Sequence, residues 1–174
     1  MTSFRLSAIG AAVFLFVTGI FGSLATVQAS QYDLDLIQSY VGSWRGSGSL
    51  SRTGQPDESV RCRMEVTKST EEKVNVNGRC TVGGGVMDMY GTLAYLSSSS
   101  RYEAVINSSG MDELRATGRR SGSNVSFNFV ATNDEGSSNV TAAFGLSNNT
   151  IKVTFSVRND DGSRITATVP MGKI

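Results

Sequence analysis

The sequence predicts an all-β protein: an antiparallel up-and-down β-barrel of eight to ten strands, lipocalin-like, preceded by one short helix. Three observations predict it. After Gly42, apolar and polar residues alternate along most of the chain, the pattern of strands with one buried and one wet face. Clusters of Gly, Asn, Asp and Ser interrupt the alternation at short intervals, as hairpin turns do. A helical period occurs only once after the N-terminal segment, just ahead of the first strand. The 174 residues suit one domain.

Residues 1–29 read as a signal peptide. Arg5 is their only charged residue, an apolar stretch runs from Ala8 to Phe21, and Val27-Gln28-Ala29 forms a small-residue cleavage site. Leu6 to Ala25 is long enough to span a bilayer, but Gly10, Thr18, Gly19, Gly22 and Ser23 dilute it. Cleavage after Ala29 leaves 30–174 as a single β-barrel domain without a stable membrane anchor, secreted into a periplasmic or extracellular space where disulfides persist.

The short helix is expected at 33–41. Leu34, Ile37 and Val41 share a face, Asp33 can cap it and Gly42 can end it. Ten candidate strands follow, at about 43–51, 59–68, 73–82, 86–96, 101–107, 112–119, 124–132, 138–146, 150–158 and 164–171. The run Ile151, Val153, Phe155, Val157 is the cleanest alternation, and Val125, Phe127, Phe129, Ala131 nearly matches it. Asn133-Asp134-Glu135-Gly136 and Asn159-Asp160-Asp161-Gly162 repeat one turn pattern, in which Asn or Asp bonds its own backbone and Gly takes a positive φ. These acidic loops lack the calcium-loop spacing and read as plain turns. Gly83-Gly84-Gly85 lacks the Lys-Ser/Thr of a phosphate loop and reads likewise.

The cysteines fall on the second and third strands. A hairpin centred on Glu71 sets Val60 against Val82, Cys62 against Cys80, Met64 against Gly78 and Val66 against Val76, all on one face. Opposed strand residues lie within disulfide reach, so Cys62 and Cys80 are expected to be bonded, closing a loop worth about 3 kcal/mol.

Composition excludes several functions. The 16 basic and 15 acidic residues balance once Arg5 is set aside, which argues against a nucleic-acid partner. There is no His, so imidazole catalysis, His-ligated haem and His-based zinc chemistry are excluded. No metal ligand set and no cofactor motif is present, and G-x-S-x-G is absent.

The first strand reads Tyr40-Val41-Gly42-Ser43-Trp44-Arg45-Gly46-Ser47-Gly48. Trp44, Gly46 and Gly48 share a face, so one ring plugs an end of the core while bare backbones let the strand bend. This G-x-W-x-G-x-G start after a short helix resembles lipocalin-like and nitrobindin-like barrels. Over roughly 40–96 it resembles more closely a group of small exported alphaproteobacterial proteins of uncharacterised function. Those share the G-S-W-R-G-S-G start, an Arg-Cys-Arg strand (here Arg61-Cys62-Arg63), a second Arg-Cys (Arg79-Cys80) and a strand from Met87 to Tyr95. The resemblance implies a barrel. The haem of nitrobindin-like proteins needs a His that this chain lacks, and the lipocalin T-D-Y motif is missing. The late lipocalin Arg that packs on the opening Trp would correspond to Arg158 or Arg164.

Apolar parity defines an inward set that contains no acid or base, and so offers no general acid, base or activated nucleophile. The reading is therefore non-catalytic: not an enzyme. Recurring inward small residues, Gly46, Gly48, Gly78, Gly91, Ala104 and Ala116 among them, leave either a cavity or a filled core with closely approaching walls. A cavity would take a small hydrophobic molecule, lined by Trp44, Met64, Met87, Met89, Tyr95, Tyr102 and Ala116, with Tyr95 or Tyr102 giving the one directional hydrogen bond. A filled core would instead mean a structural or protein-interaction module of the cell envelope. Arg115, Arg119 and Arg120 form either a solvated edge, the favoured reading, or an anion-binding rim.

Overall fold

The computed structural model describes residues 24–108, 111–133 and 136–174. Helix α1 (Leu24–Ser39) leads into ten strands: β1 (Gly42–Arg52), β2 (Glu58–Lys68), β3 (Lys73–Val82), β4 (Gly85–Leu96), β5 (Arg101–Ser108), β6 (Met111–Ser121), β7 (Asn124–Asn133), β8 (Gly136–Ser147), β9 (Thr150–Asn159) and β10 (Arg164–Lys173). Each strand pairs antiparallel with the next, and β10 pairs with β1 to close the barrel. Closure removes the edge strands that an open sheet of this length would expose. No helix among the described residues is long and apolar enough to cross a membrane.

All ten strands stand where the alternation puts them, because a one-residue slip would carry every apolar side chain to the water face. The β2–β3 register is the expected one, with Val60 opposite Val82, Cys62 opposite Cys80 and Val66 opposite Val76. Cys62 and Cys80 are disulfide-bonded, their Cα atoms 4.1 Å apart. The Asn159–Gly162 segment is a turn: Gly162 takes a φ of 83°, and the Asp161 carboxylate accepts from the Ser163 N–H at 2.8 Å. The acidic turn at 133–136 lies partly outside the described residues.

The helix differs from expectation. Its described part already runs from Leu24, ahead of Asp33, and ends at Ser39, closed by Tyr40 N–H to Ile37 O and Val41 N–H to Gln38 O contacts of 3.3 and 3.1 Å. Asp33 is therefore an interior helical residue and caps nothing. Residues 1–23 of the expected signal peptide lie outside the described residues, and 24–29 form the first turns of α1.

The barrel has two unlike ends. The base carries α1, the turns at 69–72, 97–100, 122–123 and 148–149, and the start of β1. There Leu36 and Ile37 of the helix, with Tyr40 just after it, are buried against the barrel, and the Tyr40 hydroxyl donates to the Phe144 carbonyl at 3.2 Å. Gln38 Nε2 donates to the carbonyls of Thr70 and Glu71, both at 2.9 Å, which fastens α1 to the β2–β3 turn. Trp44 fills the base just above the helix, 1% exposed, and its indole N–H donates to the Tyr40 carbonyl at 2.9 Å. The cation over its ring is Lys173, 5.3 Å from the centroid, rather than Arg158 or Arg164, which stand at the opposite end on β9 and β10. Lys173 takes the place because it pairs directly with Trp44 across β1 and β10.

Candidate functional site

Inward residues divide along the barrel axis. In the base half, Val74, Leu93, Tyr95, Tyr102, Val125, Phe127 and Ile151 are buried. Tyr95 and Tyr102 pack with ring centroids 5.2 Å apart, and Phe127 meets Phe144 edge-on at 6.4 Å. Interdigitated rings of this kind leave no room for a guest. In the mouth half burial is mixed: Val60, Cys62, Cys80 and Val140 are buried, while other residues of the same parity stay accessible. Phe155 faces inward on the unbroken register that buries Ile151, yet it is 38% exposed. Its direct partners on β8 and β10 are Ala142 and Ala167, too small to cover the ring. Met87 is also 38% exposed, and Leu50, Val82, Ile106 and Phe129 are half-buried. Accessible inward apolar side chains, Phe155 and Met87 foremost, thus stand at the open mouth, or vestibule, above a base of buried rings.

The wall beside this vestibule is loosely laced. β6 and β7 pair only from Gly118 to Ser121 against Asn124 to Phe127, whereas β7 and β8 pair along their whole length. Among the described residues, no ladder joins β6 to β7 on the mouth side of Phe127.

The rim is polar. Arg52 pairs with Glu58 across the ends of β1 and β2, while Ser138 donates to Asn159 at 2.7 Å and Asn159 to Ser163 at 2.8 Å. Deeper in, the Ser108 hydroxyl is buried at the end of β5, opposite Met89, and has no hydrogen-bond partner among the described residues. An unpartnered buried hydroxyl is disfavoured unless something else satisfies it.

The expected lining residues separate accordingly. Trp44, Tyr95, Tyr102 and Ala116 lie in the sealed half. Met64, opposite Trp44, and Met89 are half-buried, and Met87 stands at the mouth. The Tyr102 hydroxyl is already engaged, donating to Asp33 at 2.6 Å. Accessible residues outside the expected set stand at the mouth: Phe155, with half-buried Leu50, Ala142 and Ala167. Parity marks them as inward, but only three-dimensional packing tells mouth from base.

Two expectations need correction. The interior does carry charge. Arg120 continues the inward parity of Ala116 and Gly118, and its Nε donates to the Asp33 carboxylate, which α1 buries in the base. The Tyr32 ring lies 4.5 Å from the same guanidinium. The Asp33 hydrogen bond holds Arg120 above the usual arginine range. Burial, then the bond to Asp33, pushes the Tyr102 phenol well up. Secondly, several inward glycines leave no volume. A Cβ at Gly46, Gly48 or Gly91 would collide with the carbonyl of Pro170, Thr168 or Val105, and one at Gly118 would sit 2.6 Å from Phe127. These glycines let backbones close on one another where the barrel bends.

No protein-family model matches the sequence, and no curated protein matches it. Solved structures do. An S-type phycobiliprotein lyase, CPES, from Guillardia theta superposes with a TM-score of 0.61 at 8% identity, over 83% of this chain and 97% of that one. A de novo designed fluorescence-activating β-barrel is 12% identical over 78% of this chain and 95% of its own, with a TM-score of 0.41. A redesigned barrel, mFAP0, bound to DFHBI, is 13% identical over 77% and 97%, with a TM-score of 0.38. At 8% identity, the likeness to the lyase is one of fold: this chain is a closed antiparallel β-barrel of that kind.

Proposed function

We propose that this is an exported, non-catalytic barrel that binds a small hydrophobic molecule in its mouth half. One observation carries the reading: Phe155 and Met87, inward apolar residues of that half, remain open to solvent while the rings of the base are buried. Concave apolar sites with few polar groups are the usual form of small-molecule sites. Met87 and Met89 give the wall adaptable thioethers. The charged groups of the interior, Asp33 and Arg120, are tied to each other in the base, away from the vestibule, which supports binding without catalysis. The Cys62–Cys80 bond suits an oxidising, periplasmic or extracellular setting.

Titration with a hydrophobic fluorescent dye tests this. The wild type binds one dye saturably. Ala142→Leu and Ala167→Leu, which fill the space beside Phe155, weaken binding at least tenfold and leave the melting temperature near that of wild type. Absence of saturable binding, with both Leu variants strongly destabilised, refutes the vestibule and leaves a filled core suited to a structural or interaction module.

A further inference from the structure

The corner where α1 meets the base ends of β5 and β6 holds a cleft of about 330 Å3, near the lower end of the roughly 300–1,000 Å3 typical of ligand pockets. Its floor is Asp33, Tyr102 and Arg120, and its walls carry Arg101, Arg119, Ser99 and Ser100. The floor is fixed. Arg120 donates to Asp33 and to the Gly122 carbonyl at 3.3 Å, and Tyr32 covers its face. Asp33 is buried and spoken for by Tyr102 and Arg120, so it does not neutralise the walls.

The walls are different. Arg101 and Arg119 stand one step beyond the Tyr102–Gly118 pair, at the edge of neighbouring strands. Both are exposed, and no ion pair forms on either among the described residues. Glu103, two residues from Arg101, makes no ion pair with it, and Glu72 accepts from Ser97 instead. Like charges set side by side across strands are destabilising unless something sits between them. Guanidinium forks are matched to oxyanions, which they hold through paired N–H donors. Ser100, in a left-handed turn at φ 52°, also lines the cleft and brings a hydroxyl to it. Two guanidinium forks and two hydroxyls on one cleft offer more donors than a planar carboxylate can use, and so suit a tetrahedral oxyanion better.

We infer that this cleft is a second binding site, separate from the vestibule, which takes a phosphate group, free or on a lipid headgroup, between Arg101 and Arg119. The test is calorimetry of the purified protein with inorganic phosphate, acetate as the planar control, and vesicles of phosphatidylcholine with and without phosphatidic acid. Phosphate is expected to bind at one site and acetate at least tenfold more weakly. Arg101→Gln and Arg119→Gln should each weaken phosphate at least tenfold, with dye binding at the mouth unchanged. Selective binding to phosphatidic acid vesicles that both substitutions abolish, without binding of free phosphate, assigns the group to a headgroup and supports the site. No saturable binding of phosphate or of phosphatidic acid vesicles, or binding that the substitutions leave intact, overturns it.

Discussion

Asp33 sits mid-helix in α1, 6% exposed, with the Tyr102 hydroxyl and the Arg120 guanidinium both donating to it. Its alternative is a carboxylate buried without partners, so the three residues act as one latch between helix and barrel. Arg120 keeps about a quarter of its side chain in water, so Asp33→Ala should cost about 2–3 kcal/mol, below the ~3–5 of a fully buried pair. Urea denaturation measures it. The tyrosines predict a pH effect. Burial raises the Tyr40 and Tyr102 phenols above their ordinary range, and for Tyr102 the Asp33 carboxylate adds to it. Their folded values thus exceed the unfolded value of ~10, and this contribution is intact below pH ~10. Above that the unfolded chain gives up its protons first, so stability should fall by up to about 1.4 kcal/mol per pH unit for each tyrosine. Tyr102→Phe should make the decline between pH 10 and 11 shallower; an unchanged slope would show that Tyr102 ionises as readily in the folded chain. None of the latch was readable beforehand. An Asp at the head of a short apolar pattern is the usual sign of a cap, and the distance in sequence from Asp33 to Arg120 hides their pairing.

The strands were legible because period-2 alternation and turn chemistry agree at every hairpin, and agreement between levels is what makes a fold specific. The disulfide followed from the same register. What parity leaves open is why a position is small. A Cβ on Gly46 or Gly91 would lie well inside van der Waals contact with a neighbouring carbonyl, whereas the nearest atom to a Cβ on Gly78 would be Met89 Cε at 3.6 Å. All three read alike in the sequence. Gly46→Ala and Gly91→Ala should therefore destabilise by about 1–3 kcal/mol through forced backbone movement, while Gly78→Ala should stay within about 0.5 kcal/mol. Thermal melts of the three variants decide it, and equal losses at all three would mean that the glycines serve strand flexibility rather than close approach. The helix is the weakest element to read: the apolar N-terminal segment runs into it with no break in composition, so the sequence marks Asp33 as a start although the chain is already helical at Leu24.

Across the whole molecule, closure fixes ten strands around one axis, but packing is spent unevenly along it. Trp, Tyr and Phe rings concentrate at the base, where α1 also docks, and small partners flank Phe155 at the mouth. Trp44 is the only tryptophan, so the gradient has a direct optical readout. Wild-type emission should be blue-shifted and poorly quenched by iodide, because Trp44 is 1% exposed and its indole N–H is bonded to Tyr40. Moving the reporter to the other end, in the double variant Trp44→Phe with Phe155→Trp, should give red-shifted emission that iodide quenches readily. A hydrophobic guest in the vestibule should then blue-shift that emission and shield it from iodide. The same guest should leave wild-type Trp44 emission unchanged, since rigid rings separate it from the mouth. If both reporters are equally shielded without a guest, the mouth is as closed as the base. If the guest perturbs Trp44 and not the reporter at 155, it enters from the helix end, and α1 rather than the β6–β7 seam or the rim is the moving part.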